Sequence, residues 1–199
     1  MELNEQFWSG RYENQQTGWD LGNISTPLKE YIDQLTDKKQ RILIPGCGNA
    51  YEAEYLLKQG FENVTLVDIS NVLIKQLKKK FYPDYTGKLN LIYGDFFEID
   101  GEFDLIIEQT FFCALDPALR SEYAVKMNEL LAVYGKLVGV MFNRQFEHQG
   151  PPFGGTKDEY IEYFDAHFKL KYFTECYNSI PPRRGSELFI SLIKKQALK

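Results

Sequence analysis

The sequence predicts an α/β protein: an open, mostly parallel sheet with helices on both faces and an antiparallel strand pair at its end. Three observations predict it. Short apolar runs alternate with helix-length segments, the pattern of β-α-β units. The first run breaks directly into a glycine turn. The last two strand-like runs have no helix-length segment between them, so they are predicted to pair with each other.

Residues 1–27 carry Phe7, Trp8, Tyr12 and Trp19 without a regular period, interrupted by Gly10, Gly18, Gly22 and Pro27. This reads as an N-terminal arm with a little helix. A helix is predicted over 27–36, with Thr26 as cap and Pro27 at its first position. Arg41-Ile42-Leu43-Ile44-Pro45 is a buried strand that ends in Gly46-Cys47-Gly48. A helix over 50–59 closes at Gly60. Val64–Val67 is the second strand, ending at Asp68. The helix over 71–81 presents Val72, Leu73, Leu77 and Phe81 as its apolar face.

Residues 89–93 form the third strand and 103–107 the fourth. A helix over 117–132 leads through Gly135 into a fifth strand at 136–142. The Gly- and Pro-containing stretch 143–155 is a loop, 157–167 a helix, and 169–176 and 187–194 the terminal strands. The count is seven strands. At 199 residues, with no internal repeat or linker, one domain spanning 1–199 is expected.

The chain is 44% apolar and 26% charged, ordinary for a globular domain. A net charge of −5 disfavours nucleic acid, whose binding depends on cationic side chains. Short lysine runs at Lys78–Lys80 and Lys194-Lys195 read as solvated element ends. Cys47, Cys113 and Cys176 are odd in number and form no CxxC pair, so neither a disulfide framework nor a metal site is expected, and a reducing cytoplasm fits. The first residues are polar and acidic, without the apolar stretch of a signal peptide. No segment approaches the roughly 18 apolar residues of a membrane span. Oligomeric state is not legible; a monomer is compatible.

The chemistry concentrates after the first strand. Glycines at 46 and 48 let backbone approach a ligand, and the turn feeds a helix N-terminus with free N–H groups. A glycine pair alone also occurs as a plain helix cap. Asp68 ends the next strand 20 positions after Gly48, where a carboxylate accepts hydrogen bonds from ribose hydroxyls; the alternative is a cap of the following helix, shared with Ser70. Asp95-Phe96 ends the third strand, where Asp95 would meet an adenine amino group and Phe96 the ring; a turn-forming aspartate is the alternative. These features describe a Rossmann-like sheet that binds a nucleoside. A dinucleotide fingerprint needs a small residue at its sixth position; Tyr51 stands there, so S-adenosylmethionine is favoured over NAD.

The chain resembles the thiopurine S-methyltransferase family, closest to its halide/thiol methyltransferase branch. The resemblance is carried by Phe7-Trp8, Arg11-Tyr12, Gly18-Trp19-Asp20 and Thr26-Pro27. It runs on through Ile44–Gly48, Val67–Ser70, Asp95–Phe97 and Phe103–Ile106. Its most specific part is Thr110-Phe111-Phe112-Cys113-Ala114-Leu115 with Pro117 and Arg120, followed by Gly150–Phe153 and by Ile180-Pro181, Arg183, Gly185 and Glu187. The resemblance implies that Trp8, Tyr12 and Trp19 close over the cofactor. It places Gly46 along the methionine moiety, Asp68 at the ribose, and Asp95 and Phe96 at the adenine, with Cys47, Gly48 and Ile69 also binding the cofactor. Gln109 stands where relatives touch the cofactor with Tyr or Asp. Asn49 replaces the Gly or Lys common in relatives.

No hydrolytic triad or carboxylate pair is evident, and no residue is singled out as catalytic; His148 and His167 read as structural. Methyl transfer from a sulfonium is an in-line displacement, for which alignment alone is worth about 7–11 kcal/mol. Phe111, Phe112, Phe153 and Arg183 are candidate substrate-pocket residues. Core packing accounts equally for Phe111 and Phe112, and a solvated loop position for Arg183. Cys113 reads as a buried small hydrophobe. The expected function is methyl transfer to a small thiol, halide, sulfide or thiopurine-like sulfur. The alternatives are a NAD-dependent oxidoreductase and a nucleoside-binding protein without turnover.

Overall fold

The computed structural model describes residues 2–196; Met1 of the arm and residues 197–199 lie outside the described residues. Seven strands form one sheet in the order β3-β2-β1-β4-β5-β7-β6. They are β1 (Ile42–Pro45), β2 (Val64–Asp68), β3 (Leu89–Tyr93), β4 (Phe103–Gln109), β5 (Leu131–Phe142), β6 (Phe168–Glu175) and β7 (Glu187–Lys194). Strands β1 to β5 pair in parallel. Strand β7 runs antiparallel between β5 and β6, so the predicted terminal pair forms.

Among the described residues six α-helices surround the sheet: α1 (Glu5–Glu13), α2 (Thr26–Ile32), α3 (Tyr51–Lys58), α4 (Asn71–Phe81), α5 (Arg120–Leu130) and α6 (Lys157–Phe164). Side chains along a strand alternate between faces. Ile42 and Ile44 of β1 therefore join the core under α2, α3 and α4, while Leu43 joins the core under α5 and α6. This is the two-faced arrangement the sequence predicts.

Several boundaries differ. Helix α2 begins at Thr26 and ends at Ile32, and Ser25 occupies the cap position without a side-chain cap bond. Its hydroxyl instead donates to Gln109 Oε1 at 2.6 Å. Val72 is only half-buried, and Ile74 takes the core position beside Leu73. The helix predicted to 132 stops at Leu130, and β5 starts at Leu131, paired with Phe103. The run Leu131-Ala132-Val133-Tyr134 suits either structure by composition. A register shift opposite Phe103/Leu105 absorbs it, with Tyr134 left-handed at φ 63. A Cβ at Gly135 would lie 2.8 Å from the Ala132 carbonyl, so the tight bulge requires glycine there. Helix α6 ends at Phe164 rather than 167, and the predicted loop 143–155 is pinned by an Arg144–Gly155 bridge.

Strands β2 and β3 leave β1 to one side, whereas β4 and β5 lie to its other side. The chain direction therefore switches between β1 and β4. In open α/β sheets ligands bind outside the carboxyl ends of the strands at that switch.

Candidate active site

A cavity of about 590 Å³ opens at this switch, lined by the turn after β1, by Asp68-Ile69, by Asp95-Phe96, by Gln109–Phe111 and by the N-terminal arm. The turn is built on left-handed residues at alternate positions: Gly46 (φ 54), Gly48 (φ 52) and Ala50 (φ 57). Cys47 between them donates its N–H to the Val67 carbonyl at 3.4 Å and accepts from Ala50 N at 2.9 Å. Its thiol is buried, and burial first, then the nearby Asp68 charge, raises its pKa. It is a compact turn residue.

Asp68, at the end of β2, is buried and faces this turn. Its Oδ1 accepts from Ser70 N at 2.9 Å. Burial pushes its carboxyl up to about 6, opposed by the N–H groups of Ser70, Gly48 and Ile69. The cap of α4 is a separate residue: Ser70 Oγ accepts from Leu73 N at 3.2 Å. Asp68 is thus left to the cavity. Asp95 is exposed, and its Oδ1 accepts from Phe97 N at 2.9 Å to cap a short 3-10 segment at 96–98. It therefore forms the turn and lines the cavity at once. Phe96 beside it is almost fully buried, with its ring edge-on to Phe111 at 5.4 Å. Gln109 lines the cavity with an Nε2 that has no hydrogen-bond partner among the described residues.

The arm lies across this cavity. Trp19 stands edge-to-face on Trp8 at 5.6 Å and on Tyr12 at 6.0 Å. Such aromatic pairs are worth about 0.5–1.5 kcal/mol each beyond the area they bury. The Tyr12 hydroxyl lies 3.8 Å from where a Cβ on Gly48 would be, and burial, then Asp68, holds its pKa far above the usual phenol range. Besides the Ser25–Gln109 bond, hydrogen bonds tie the arm down along its length. Ser9 Oγ and Ser70 Oγ are 2.9 Å apart, joining α1 to α4. Asp20 Oδ2 accepts from Asn49 Nδ2 and from the Tyr51 hydroxyl. The Trp19 carbonyl accepts from Arg183 Nη2 at 2.9 Å.

Trp8, Tyr12, Trp19, Gly46, Cys47, Gly48, Asp68, Ile69, Asp95, Phe96, Gln109 and Phe111 all line the one cavity. Three predicted pocket residues do not. Phe112 is fully buried among Tyr123, Tyr160 and Phe164, so its role is packing. Phe153 lies in an adjoining cleft with His148, because its backbone N–H is bound to the Cys113 carbonyl. Arg183 is neither solvated nor in the pocket. It pairs with the buried Glu187 at 3.1 Å and stacks 4.9 Å over Phe142.

Three site features escaped the sequence reading. The Asp20 clamp gives Asn49 and Tyr51 a purpose that the turn's departures from pattern already marked. Glu52 lines the cavity from the first turn of α3, buried, with its carboxyl pushed up to about 7 by desolvation; a helix N-terminus favours an acid anyway, which masks it. Glu108 is completely buried beneath the Phe111 turn. Its Oε1 accepts from Phe111 N and from Phe112 N, the latter at 3.2 Å, while Oε2 has no partner among the described residues. Apolar neighbours in β4 hide it in the sequence.

The donor set fits an adenosine joined to a charged sulfur. A buried acid faces the glycine turn, an unpartnered amide donor lines the same cavity, and aromatic rings supply apolar walls with negative faces. Fold and site together define an S-adenosylmethionine-dependent methyltransferase. The Thiopurine S-methyltransferase family profile matches residues 3–197, and the chain belongs to that family. It is 30% identical over 184 residues to the Arabidopsis thaliana protein named probable thiol methyltransferase 2, covering 90% of this chain and 81% of that one. It is 25% identical over 191 residues to a thiopurine S-methyltransferase of Acinetobacter baylyi, covering 82% and 86%. Among solved structures, the Burkholderia thailandensis 1,6-didemethyltoxoflavin-N1-methyltransferase superposes with a TM-score of 0.78 at 18% identity, over 96% of this chain and 87% of that one. Among the described residues no helix is long and apolar enough to cross a membrane.

Proposed function

We propose that this enzyme methylates a small soft nucleophile (a thiol, a halide or sulfide ion, or a thiopurine-like sulfur) as one domain in which residues 1–27 form a lid. The observation that carries this reading is the buried Asp68 carboxyl facing the glycine turn beneath the Trp8–Trp19–Tyr12 lid. In it, Asp68 and Ile69 hold the ribose, Asp95 and Phe96 the adenine, and Gly46, Cys47 and Gly48 pass along the methionine part. Gln109 Nε2 offers a donor that has no partner among the described residues. When bound, S-adenosylmethionine supplies a methyl group on an already positive sulfur, so no base is needed to activate the leaving group.

The chain's own residues then align and dry the site. Phe111 walls the acceptor side, and the arm excludes water, which strengthens every charge interaction inside. A free thiol ionises near pH 8.5, so solvent can take its proton. Three unpaired cysteines support a reducing cytoplasm, and the acidic balance supports an enzyme of small molecules rather than of nucleic acid. A monomer is compatible with this reading. The dinucleotide alternative gains no support: Tyr51 stays at the sixth position of the turn and donates to Asp20.

The test combines binding and turnover. Titration with S-adenosylhomocysteine is expected to show micromolar binding, with none for NAD. Labelled S-adenosylmethionine is expected to methylate at least one member of a panel of thiols, halides and thiopurines. Binding without turnover on the whole panel would leave only the nucleoside-binding alternative.

A further inference from the structure

Glu108 is a completely buried acid to which methyl transfer, as described so far, gives no task. It stands near the carboxyl end of β4, one residue before Gln109, and does not line the cavity. It therefore touches neither cofactor nor acceptor. Its place is nevertheless cleared of other side chains. Opposite it on β5 stands the buried Gly139, where a Cβ would lie 2.5 Å from both the Glu108 Cβ and the Glu108 carbonyl oxygen. A glycine weakens a strand interior, and a carboxyl in an apolar core is costly unless its oxygens are used. Packing alone would favour an apolar side chain at 108.

The use lies in the turn that follows. Thr110 is left-handed at φ 59, a conformation that strains a β-branched residue and persists only where its surroundings hold it. Its own N–H continues the ladder to the Val140 carbonyl at 2.9 Å. The next two N–H groups meet no backbone carbonyl among the described residues. Both donate to Glu108 Oε1, that of Phe112 at 3.2 Å. The two rings then part. Phe112 packs into the core between Tyr123 and Tyr160. Phe111 stands in the cavity wall, edge-on to Phe96 at 5.4 Å and hard against Gly46.

We propose that Glu108 is a positioning residue for methyl transfer: its buried carboxyl holds the strained 110–112 turn, and the turn holds the Phe111 ring against Gly46, where the acceptor meets the methyl group. This deepens the methyltransferase reading and rests on it. Alignment errors of about 1 Å can cost roughly 100-fold in rate, so a shift of this wall is felt in turnover. Cofactor binding is spared, because the turn after β1 is held separately by the Cys47–Val67 and Ala50–Cys47 bonds.

Three variants test it. Glu108→Met keeps the length of the side chain and loses the acceptor. Glu108→Gln keeps an oxygen for both N–H groups. Leu130→Ala, at the last residue of α5 in the same core, loses stability without touching the turn. Labelled S-adenosylmethionine with thiophenol, hydrosulfide and iodide gives kcat and KM. Calorimetry gives the affinity for S-adenosylhomocysteine, and amide hydrogen exchange reports the Phe111 and Phe112 N–H groups. Glu108→Met is expected to lose about tenfold or more in kcat, to keep KM and S-adenosylhomocysteine affinity near native, and to exchange both amides faster. Glu108→Gln and Leu130→Ala are expected to keep near-native kcat. In a Phe111→Ala background, Glu108→Met is expected to change kcat by less than about twofold, since residues acting through one another are not additive.

A native kcat in Glu108→Met overturns the inference, as does an equal loss with and without the Phe111 ring. Glu108→Gln decides even where Glu108→Met does not fold: native kcat with both amides protected supports the inference, and a loss of about tenfold overturns it. Each of these outcomes leaves the methyltransferase reading standing. No methylation of any acceptor by the unaltered enzyme overturns that reading itself.

Discussion

Phe111 stands so close to Gly46 that a Cβ on residue 46 would lie 2.1 Å from its Cδ2. The acceptor wall and the cofactor turn are therefore built against each other. Gly46 is also left-handed at φ 54, a conformation that disfavours any side chain. Gly46→Ala is expected to lose about 1–3 kcal/mol of stability and to weaken S-adenosylhomocysteine binding. The companion change Phe111→Ala should recover part of the loss, the clash, and not the backbone strain. Thermal unfolding and calorimetry on the three variants check this. An unchanged melting temperature for Gly46→Ala would mean the contact is looser than described.

Asp68 predicts a pH dependence of cofactor affinity. Its carboxyl is raised to about 6 by burial, and hydroxyl donors of a ribose favour the ionised form. Affinity for S-adenosylhomocysteine should therefore fall as pH drops from 7 to 5. Asp68→Asn should weaken binding roughly 100-fold, about 2.7 kcal/mol, and flatten the profile. Titrations at pH 5, 6, 7 and 8 decide it; an unaltered profile in the variant would remove Asp68 from the ribose.

Asp20 predicts a lid effect. Its carboxylate is the shared acceptor for Asn49 and Tyr51 on the turn and also receives the Gly22 N–H at 2.9 Å. Asp20→Ala should leave the sheet intact, speed proteolytic cleavage between residues 14 and 25 several-fold, and lower kcat/KM. S-adenosylhomocysteine should restore protection in the native enzyme and less so in the variant. Cleavage at the native rate would show that the aromatic contacts of Trp8 and Trp19 hold the arm unaided.

The fold was legible because its signals are local. The short apolar runs of β1 and β2, the Gly46–Gly48 break and the 71–81 periodicity each follow from a few neighbouring side chains. Gly46, Gly48, Asp68, Asp95 and Phe96 were legible for the same reason, since strand ends collect at one edge of a parallel sheet, whereas Trp8, Tyr12, Trp19 and Gln109 were expected only from the family resemblance. What escaped depended on contacts distant in the chain. Phe111 and Phe112 are adjacent and chemically identical, yet only one faces the cavity; the left-handed Thr110 (φ 59) and the buried Glu108 carboxyl, which accepts from both N–H groups, shape that turn. Arg183 looked available because nothing nearby in sequence reveals the Trp19 carbonyl, 164 positions away, that it binds. The end of α5 was misread because Leu131–Tyr134 suits helix and strand alike, and pairing with β4 decides it.

Glu108 predicts how stability varies with pH. Desolvation raises its carboxyl to about 8, against the pull of the Phe111 and Phe112 N–H groups. The ordinary value is 4.5, so the folded protein holds a proton that the unfolded chain releases. By linkage this stabilising contribution is complete below about pH 4.5 and is lost as pH rises through 8. Glu52 and Asp68 shift in the same direction, to about 7 and about 6, and their contributions are lost earlier. The ligand-free protein should therefore melt at progressively lower temperature from pH 5 to 9. Glu108→Gln keeps an oxygen to accept both N–H groups while abolishing the titration. It should differ little from the native protein at pH 5 and melt higher at pH 9, its curve levelling near pH 7. Glu108→Ala leaves both buried N–H groups unpaired and should be destabilised at every pH, by about 1–3 kcal/mol for each lost partner. Melting curves at pH 5, 7 and 9 separate the two variants. A Gln variant as pH-sensitive as the native protein would show that Glu108 is already ionised in the fold, with its free oxygen satisfied by water.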